Sequence, residues 1–242
     1  MKNKEFNHEL TKLKQFDTPS ITNVVATYPG DKELCLGLYD PWTVNWYTDQ
    51  SLKCMYPDLG RTVGYAVTVV YGPADPNFKR RGFDDLLRAI DASPKPVIVC
   101  MKQDFPEELK NKNGLSGGNM TTAMKALGTV GVISDGPSRD VDEIRPMGVQ
   151  YMLTGVTAGH GDFSIKAVNV PVSICGMDVA PGEIIHMDES GAVKFPQEYI
   201  GEVLERATKL QEIETSRQAK MRQTDDVDEL IRIMDGFEDS KE

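Results

Sequence analysis

The chain has no apolar run close to the roughly 20 residues that a membrane-spanning helix requires, and its lysine-rich start is not followed by the apolar segment of a secretory signal. Both absences lead to the expectation of a cytoplasmic protein with no membrane partner. Paired cysteines are missing as well. Cys35, Cys54, Cys100 and Cys175 form no C-x-x-C unit and have no histidine at zinc spacing, so they read as buried thiols. Positive charge is scarce: the net charge of -10 argues against sequence-independent binding to nucleic acid, which needs a basic surface. Lys79-Arg80-Arg81 is the dense basic cluster, read here as a solvated loop that can steer an anion or pair across a subunit boundary. Of 3 histidines, His8 and His186 read as structural, whereas His160, in Thr157-Ala-Gly-His-Gly-Asp162, occupies a loop that could cover a pocket.

What is present suits a globular domain. With 242 residues, 40% of them hydrophobic, the chain can bury one large core or two small ones; we favour one compact domain with helical additions at both ends. Asn7 to Gln15 predicts a short amphipathic helix, and Asp17-Thr18-Pro19-Ser20 starts a second with proline in its first turn. Residues 30 to 58 show no clear period, and Trp42 and Trp46 there read as core or interface packing. From Val63 onward strands alternate with helical segments such as Phe83 to Ile90. A strand-and-turn run over 168 to 195 follows, in which Asp188 reads as a turn residue. Beyond Pro196, Ile200, Val203, Leu204, Ala207 and Leu210 form one helical stripe, and Thr224-Asp225-Asp226 can cap a final helix.

The richest segment is Val130-Gly-Val-Ile-Ser-Asp135-Gly-Pro-Ser-Arg139-Asp140-Val-Asp-Glu143, an apolar strand that runs into a turn carrying a guanidinium beside a carboxylate. Upstream, Pro96 to Cys100 reads as a strand. Gly114-Leu-Ser-Gly117-Gly118-Asn119 reads as a glycine-rich loop, and Met120, Ala123, Met124 and Leu127 recur at helical spacing until Gly128. A right-handed strand-helix-strand crossover makes the two strands parallel neighbours, so the loop and the turn should face each other across a crevice. Free N–H groups at the helix start favour an anion. Arginine can clamp a carboxylate through two hydrogen bonds, and the adjacent aspartate becomes compatible with the same ligand once a cation intervenes. Oxygen-only surroundings suit Mg²⁺ or Mn²⁺, which, chelated by a 2-oxo acid, would stabilise an enolate. The alternative is that Asp140 and Glu143 form a capping pattern for a short helix and that Arg139 pairs with a surface carboxylate.

The run from Gly117-Gly118-Asn119-Met120 through Gly128 to Arg139-Asp140 resembles the core of the RraA-like family. That family includes class II 4-hydroxy-4-methyl-2-oxoglutarate aldolases and the regulator of ribonuclease activity A. The likeness continues in Gly64-Tyr-Ala-Val-Thr-Val-Val70, in Val168-Asn-Val-Pro171-Val, and from Val179-Ala-Pro181-Gly182 through Asp188 to Gly191, covering roughly residues 15 to 215.

The resemblance implies an α/β fold: a layered swivelling β/β/α-type single domain with a mixed sheet, here a core over 17–196, an N-terminal helix over 1–16 and a helical extension over 197–242. It implies a divalent-metal-dependent lyase that cleaves a 4-hydroxy-2-oxo acid to pyruvate or decarboxylates an oxaloacetate-like acid, or else a non-catalytic regulator of the same fold. Arg139 would bind the substrate carboxylate, Asp140 would bind Mg²⁺ or Mn²⁺, and the amides of Gly117, Gly118, Asn119 and Met120 would contact substrate. Glu143 matches an acidic position three residues after the pair.

Trimeric rings or pairs of them are implied, with an acidic residue from a neighbouring subunit completing the site, for which Glu212 and Glu214 are the candidates. One departure stands out: the aldolase acid twenty-one positions before the arginine is Gly118 here. Asp104-Phe-Pro-Glu107-Glu108 is one segment that could restore an acid, and His160 is the candidate for acid-base work in its absence. A methyltransferase reading fits poorly, because the glycine loop is central rather than following an early strand.

Overall fold

A computed structural model describes residues 8–27, 33–40, 42, 43, 45–75, 77 and 81–236. Helices α1 (His8–Leu13) and α2 (Thr18–Val25) come first, followed by the short strand β1 (Lys53–Cys54) and the long strand β2 (Thr62–Gly72). Asp17 caps α2, its Oδ1 accepting the Ser20 N–H at 2.9 Å, as the proline-bearing start predicts. Next come α3 (Phe83–Ala92), β3 (Val97–Gln103), α4 (Glu107–Lys110), α5 (Gly118–Ala126), β4 (Thr129–Ser134), α6 (Val141–Ile144) and β5 (Gln150–Leu153). Strands β6 (Ser164–Val168), β7 (Val172–Ile174), β8 (Met177–Val179), β9 (Ile184–Asp188) and β10 (Gly191–Phe195) complete the β structure, and α7 (Ile200–Met221) and α8 (Val227–Met234) end it.

One mixed sheet runs β1-β5-β4-β3-β2-β9-β10, with β6 also pairing along the end of β2. Strands β2, β3, β4 and β5 are mutually parallel, so the β3-α5-β4 crossover is the one expected from its apolar pattern. The central strands are buried on both faces, and their alternation assigns each face to its own core. In β3, Val97, Val99 and Met101 pack beneath α3 and α5 with Leu86, Ile90 and Met124. Ile98 and Cys100 point the other way, into a core closed by the β7-β8 hairpin through Ile174, Met177 and Val179. A third cluster joins Leu10, Leu13 and Phe16 to Val203 and Ala207 of α7 and to Val193 and Phe195 of β10.

Several expectations need correction. Cys100 alone of the four cysteines is fully buried; Cys54 on the edge strand β1, Cys175 in the β7-β8 turn and Cys35 in the segment after α2 are half-buried. The two tryptophans divide: Trp46 is buried in a stack with Tyr39 at 5.3 Å, while Trp42 is 89% exposed. Asp188 is buried and ties down the N-terminus, its Oδ2 accepting the Thr18 N–H at 2.7 Å, as well as serving the turn through Ser190 N–H at 2.8 Å. Asn7, Lys79 and Arg80 lie outside the described residues, as do 237–242.

His186 of β9 is fully buried, and its Nδ1 meets the Thr18 hydroxyl at 2.9 Å, so it is structural, as its position suggests. Burial drives its pKa from 6.5 down to about 4. The neutral ring is therefore native, and the unfolded chain binds the extra proton between those two values. Stability from this site is complete above pH 6.5 and is lost as pH falls towards 4, a difference on the order of 3 kcal/mol. Thermal melts of the wild type should show Tm falling between pH 7 and 4.5, and His186→Asn, less stable at pH 7, should fall along a shallower slope. Equal slopes would show that this ring does not carry the acid sensitivity.

Candidate active site

Strand β4 delivers its last residues into a tightly held turn. Asp135 is buried and accepts three hydrogen bonds at 2.7 Å, from Lys102 Nζ, Lys110 Nζ and the Gln103 N–H. Gly136 lets the Gln103 carboxamide approach, since a Cβ there would overlap it; Gln103 Nε2 then donates to Pro137 O at 3.0 Å. Ser138 is zipped to the following loop by its own N–H to Gly155 O at 3.2 Å and by the Thr157 N–H to its carbonyl at 2.9 Å. Arg139 and Asp140 leave the turn on a fixed base.

Asp140 is left-handed, at φ 58 and ψ 32, a conformation that aspartate tolerates better than most residues. It stands at the N-cap position of α6, yet its side chain makes no capping bond there, which corrects the capping-box alternative. The left-handed backbone turns the carboxylate towards the facing loop, where Oδ2 accepts the Gly118 N–H at 3.0 Å and lies 3.6 Å from Arg139 Nε. Arg139 thus pairs with its own neighbour rather than with a distant surface acid.

The facing loop is equally constrained. Helix α5 begins at Gly118 with no side-chain cap from Gly117, so its first amides depend on groups from elsewhere. Ser116, itself left-handed at φ 62, is held by the Tyr151 hydroxyl, which donates to Ser116 O at 2.8 Å. Burial pushes the Tyr151 phenol up to about 12, so it remains a donor at ordinary pH. Both loop glycines have close neighbours: a Cβ on Gly117 would overlap Asp140 Oδ2, and one on Gly118 would overlap the end of the exposed Glu143 side chain.

Loop, turn and a third segment enclose a cavity of about 220 Å³. Gly117, Gly118, Asn119, Met120, Arg139, Asp140 and His160 all line it, so the structure brings these sequence candidates together. His160 is exposed, its ring edge-on to Phe163 at 5.3 Å and its Nδ1 2.9 Å from Gly161 O. The tautomer that satisfies this contact leaves the other ring nitrogen as an acceptor. Gly114, Ser116 and Phe163 also line the cavity and were not among the residues predicted; the serine inside the glycine run was the available signal. Glu143 is exposed and sits against the start of α5. Glu107 and Glu108 are exposed on α4 and do not line the cavity; Glu212 and Glu214 belong to α7, which packs on α1 and α2.

The donor set fits a hard divalent cation. Among the described residues no three of His, Cys, Asp and Glu gather as ligands. Asp140 is the carboxylate among the residues that line the cavity; Glu143 does not line it but lies against Gly118, and both offer oxygen. Such a site suits Mg²⁺ or Mn²⁺, which keep several waters and take substrate oxygens.

The family model described as RraA-like, Aldolase/RraA, matches residues 38–194. An uncharacterised protein of Methanocaldococcus jannaschii is 28% identical over 149 residues, 61% of this chain and 70% of its own length. A 4-hydroxy-4-methyl-2-oxoglutarate aldolase of Thermus thermophilus is 29% identical over 87 residues, 36% of this chain and 53% of its own length, so the chain spans about half of that relative. An uncharacterised protein of Pseudomonas syringae pv. tomato shares the fold, with a TM-score of 0.71 at 22% identity over 94% of this chain and 95% of that one.

The two glycines should respond differently to alanine. Gly117→Ala displaces a constrained carboxylate and breaks the Gly118 N–H bond, a loss of about 1–2 kcal/mol. Gly118→Ala meets only the mobile end of an exposed glutamate and gains helix propensity, so the net change should stay below about 1 kcal/mol. Denaturant unfolding of both variants checks this; equal losses would contradict the asymmetry.

Proposed function

The chain belongs to the RraA-like family, and from that premise we propose that it is a divalent-metal-dependent lyase acting on a 2-oxo acid, cleaving a 4-hydroxy-2-oxo acid to pyruvate or decarboxylating an oxaloacetate-like acid. The observation that carries the reading is the meeting of Arg139, Asp140 and the start of α5, which has no side-chain cap from its own N-cap residue, in one cavity. A carboxylate, a carbonyl oxygen and a cation can be held there together.

Arg139 binds the substrate carboxylate through paired guanidinium N–H groups. The amides of Asn119 and Met120, free of side-chain caps, orient the same end of the ligand at the positive end of α5. Asp140 holds the cation, with Glu143 beside it. When bound, the divalent ion supplies Lewis-acid stabilisation of the negative charge that develops on the oxo oxygen as the C–C bond breaks. Glu143 also stands where a side chain at Gly118 would be, so its carboxylate lies over the start of α5. His160, with an acceptor nitrogen at the rim, takes or returns the proton of the reacting hydroxyl. The assembly we expect is a trimer or a pair of trimers, in which Glu212 or Glu214 reaches a neighbour's cavity.

A second reading, a binding protein of the same fold without catalysis, is favoured by Gly118. Pyruvate and CO₂ release from 4-hydroxy-2-oxo acids and oxaloacetate, measured with Mg²⁺, separates the two: a wild type that releases neither selects the second. On the first, Asp140→Asn keeps the left-handed backbone and should lower kcat/KM at least about 100-fold, the loss of roughly 3 kcal/mol of charge stabilisation. Arg139→Lys should raise KM about tenfold through loss of bidentate contact. Glu143→Gln should depress kcat more than KM. Asp140→Asn retaining full activity would overturn the assignment.

A further inference from the structure

A larger hollow adjoins the candidate site. It measures about 460 Å³, against about 220 Å³ for the anion cavity, and His160 lines both. Its wall is apolar at Pro73, Phe105 and Leu109, and Leu109 is 53% exposed. Lys112 and Asp162 stand on its wall as exposed charges of opposite sign, so the hollow carries no net charge preference from that pair.

One buried polar group on this wall has nothing to do within the described chain. Asn113 is 3% exposed; its Oδ1 accepts the Gly161 N–H at 3.0 Å, which fixes the carboxamide, while its Nδ2 has no hydrogen-bond partner among the described residues. An unmade bond of this kind costs about 1–3 kcal/mol, and native structures rarely retain one without a use. Ligand sites combine an apolar lining with a small number of such fixed polar groups.

We infer that this hollow is a subsite for the substrate's tail, the part of the 2-oxo acid beyond the bond that breaks, and that it selects an apolar tail, aryl or branched alkyl, carrying an uncharged oxygen acceptor that draws the buried Asn113 Nδ2 out to it. This deepens the lyase reading and rests on it for the identity of the head group. The arrangement places the oxo acid at Arg139 and Asp140, the hinge of the molecule under His160, and the tail against Phe105 and Leu109. A tail ending in a second carboxylate gains little here, because Asp162 offsets Lys112 and the lining offers no further cation.

Calorimetry with Mg²⁺ present tests this on the whole chain. In the wild type, 2-oxo-4-phenylbutanoate should bind at least about tenfold more tightly than pyruvate, and more tightly than 2-oxoglutarate, from burial of its ring. Leu109→Trp, a change at an exposed position, should bring the phenyl-to-pyruvate ratio close to one. Acetophenone carries the tail chemistry without the acid and reads the subsite even if the head-group assignment fails. It should bind weakly to the wild type, lose binding in Leu109→Trp, and bind severalfold less well to Asn113→Asp, which keeps the acceptor for Gly161 but removes the donor. Failure of pyruvate to bind, with acetophenone binding retained and sensitive to both variants, would sink the lyase reading and leave the subsite standing. A preference for 2-oxoglutarate, or acetophenone binding absent or indifferent to both variants, overturns the subsite.

Discussion

The hydrogen bond from the Gly118 amide to Asp140 Oδ2 is the contact on which the candidate site depends, because it joins two segments that leave different strands. It caps α5 from outside, which explains why the helix can start on glycine with no cap of its own. It also holds the Asp140 carboxylate away from α6, beside Arg139 rather than over the helix that follows. The left-handed backbone at Asp140 and the absence of a Cβ at Gly117 are the two conditions for that contact. Neither condition concerns the ligand, yet together they set where a ligand's charges must lie.

Much of this was legible in the sequence, and for identifiable reasons. Punctuation by Gly114, Gly117, Gly128 and Gly136 delimits strand, helix and strand; the handedness of crossovers then makes β3 and β4 parallel and puts their ends on one edge. Arg139 and Asp140 are adjacent, so their partnership needed no knowledge of the fold. The helix-capping alternative failed because capping is decided by φ and ψ at one residue, and sequence spacing does not report them. What stayed hidden is long-range. That the Glu143 carboxylate fills the space above Gly118 depends on how α6 lies against α5, and the free amide of Asn113 is apparent only once its other atom is seen bonded to Gly161.

The departure at Gly118 takes on a different meaning in three dimensions. Read along the chain it is the loss of an acid; read in space, a glutamate from the neighbouring turn stands there instead. The terminal helices, by contrast, work at a distance from this edge: α1, α2 and α7 share a core with β9 and β10 and use His186 and Asp188 to fix the start of the chain. The anchoring of the terminal helices is therefore separate from the edge that carries the candidate site.

The buried carboxylate of Asp135 links these regions in another way. Helix α4 buries none of its residues, and Lys110, bonded to Asp135 together with Lys102, moors it to the end of β4. One negative charge thus anchors both the turn that presents Arg139 and the short helix that presents Leu109. The turn and the short helix share one anchor, whereas the parallel strands beneath are held by their own ladder. One buried side chain therefore sets the spacing between the turn and the short helix.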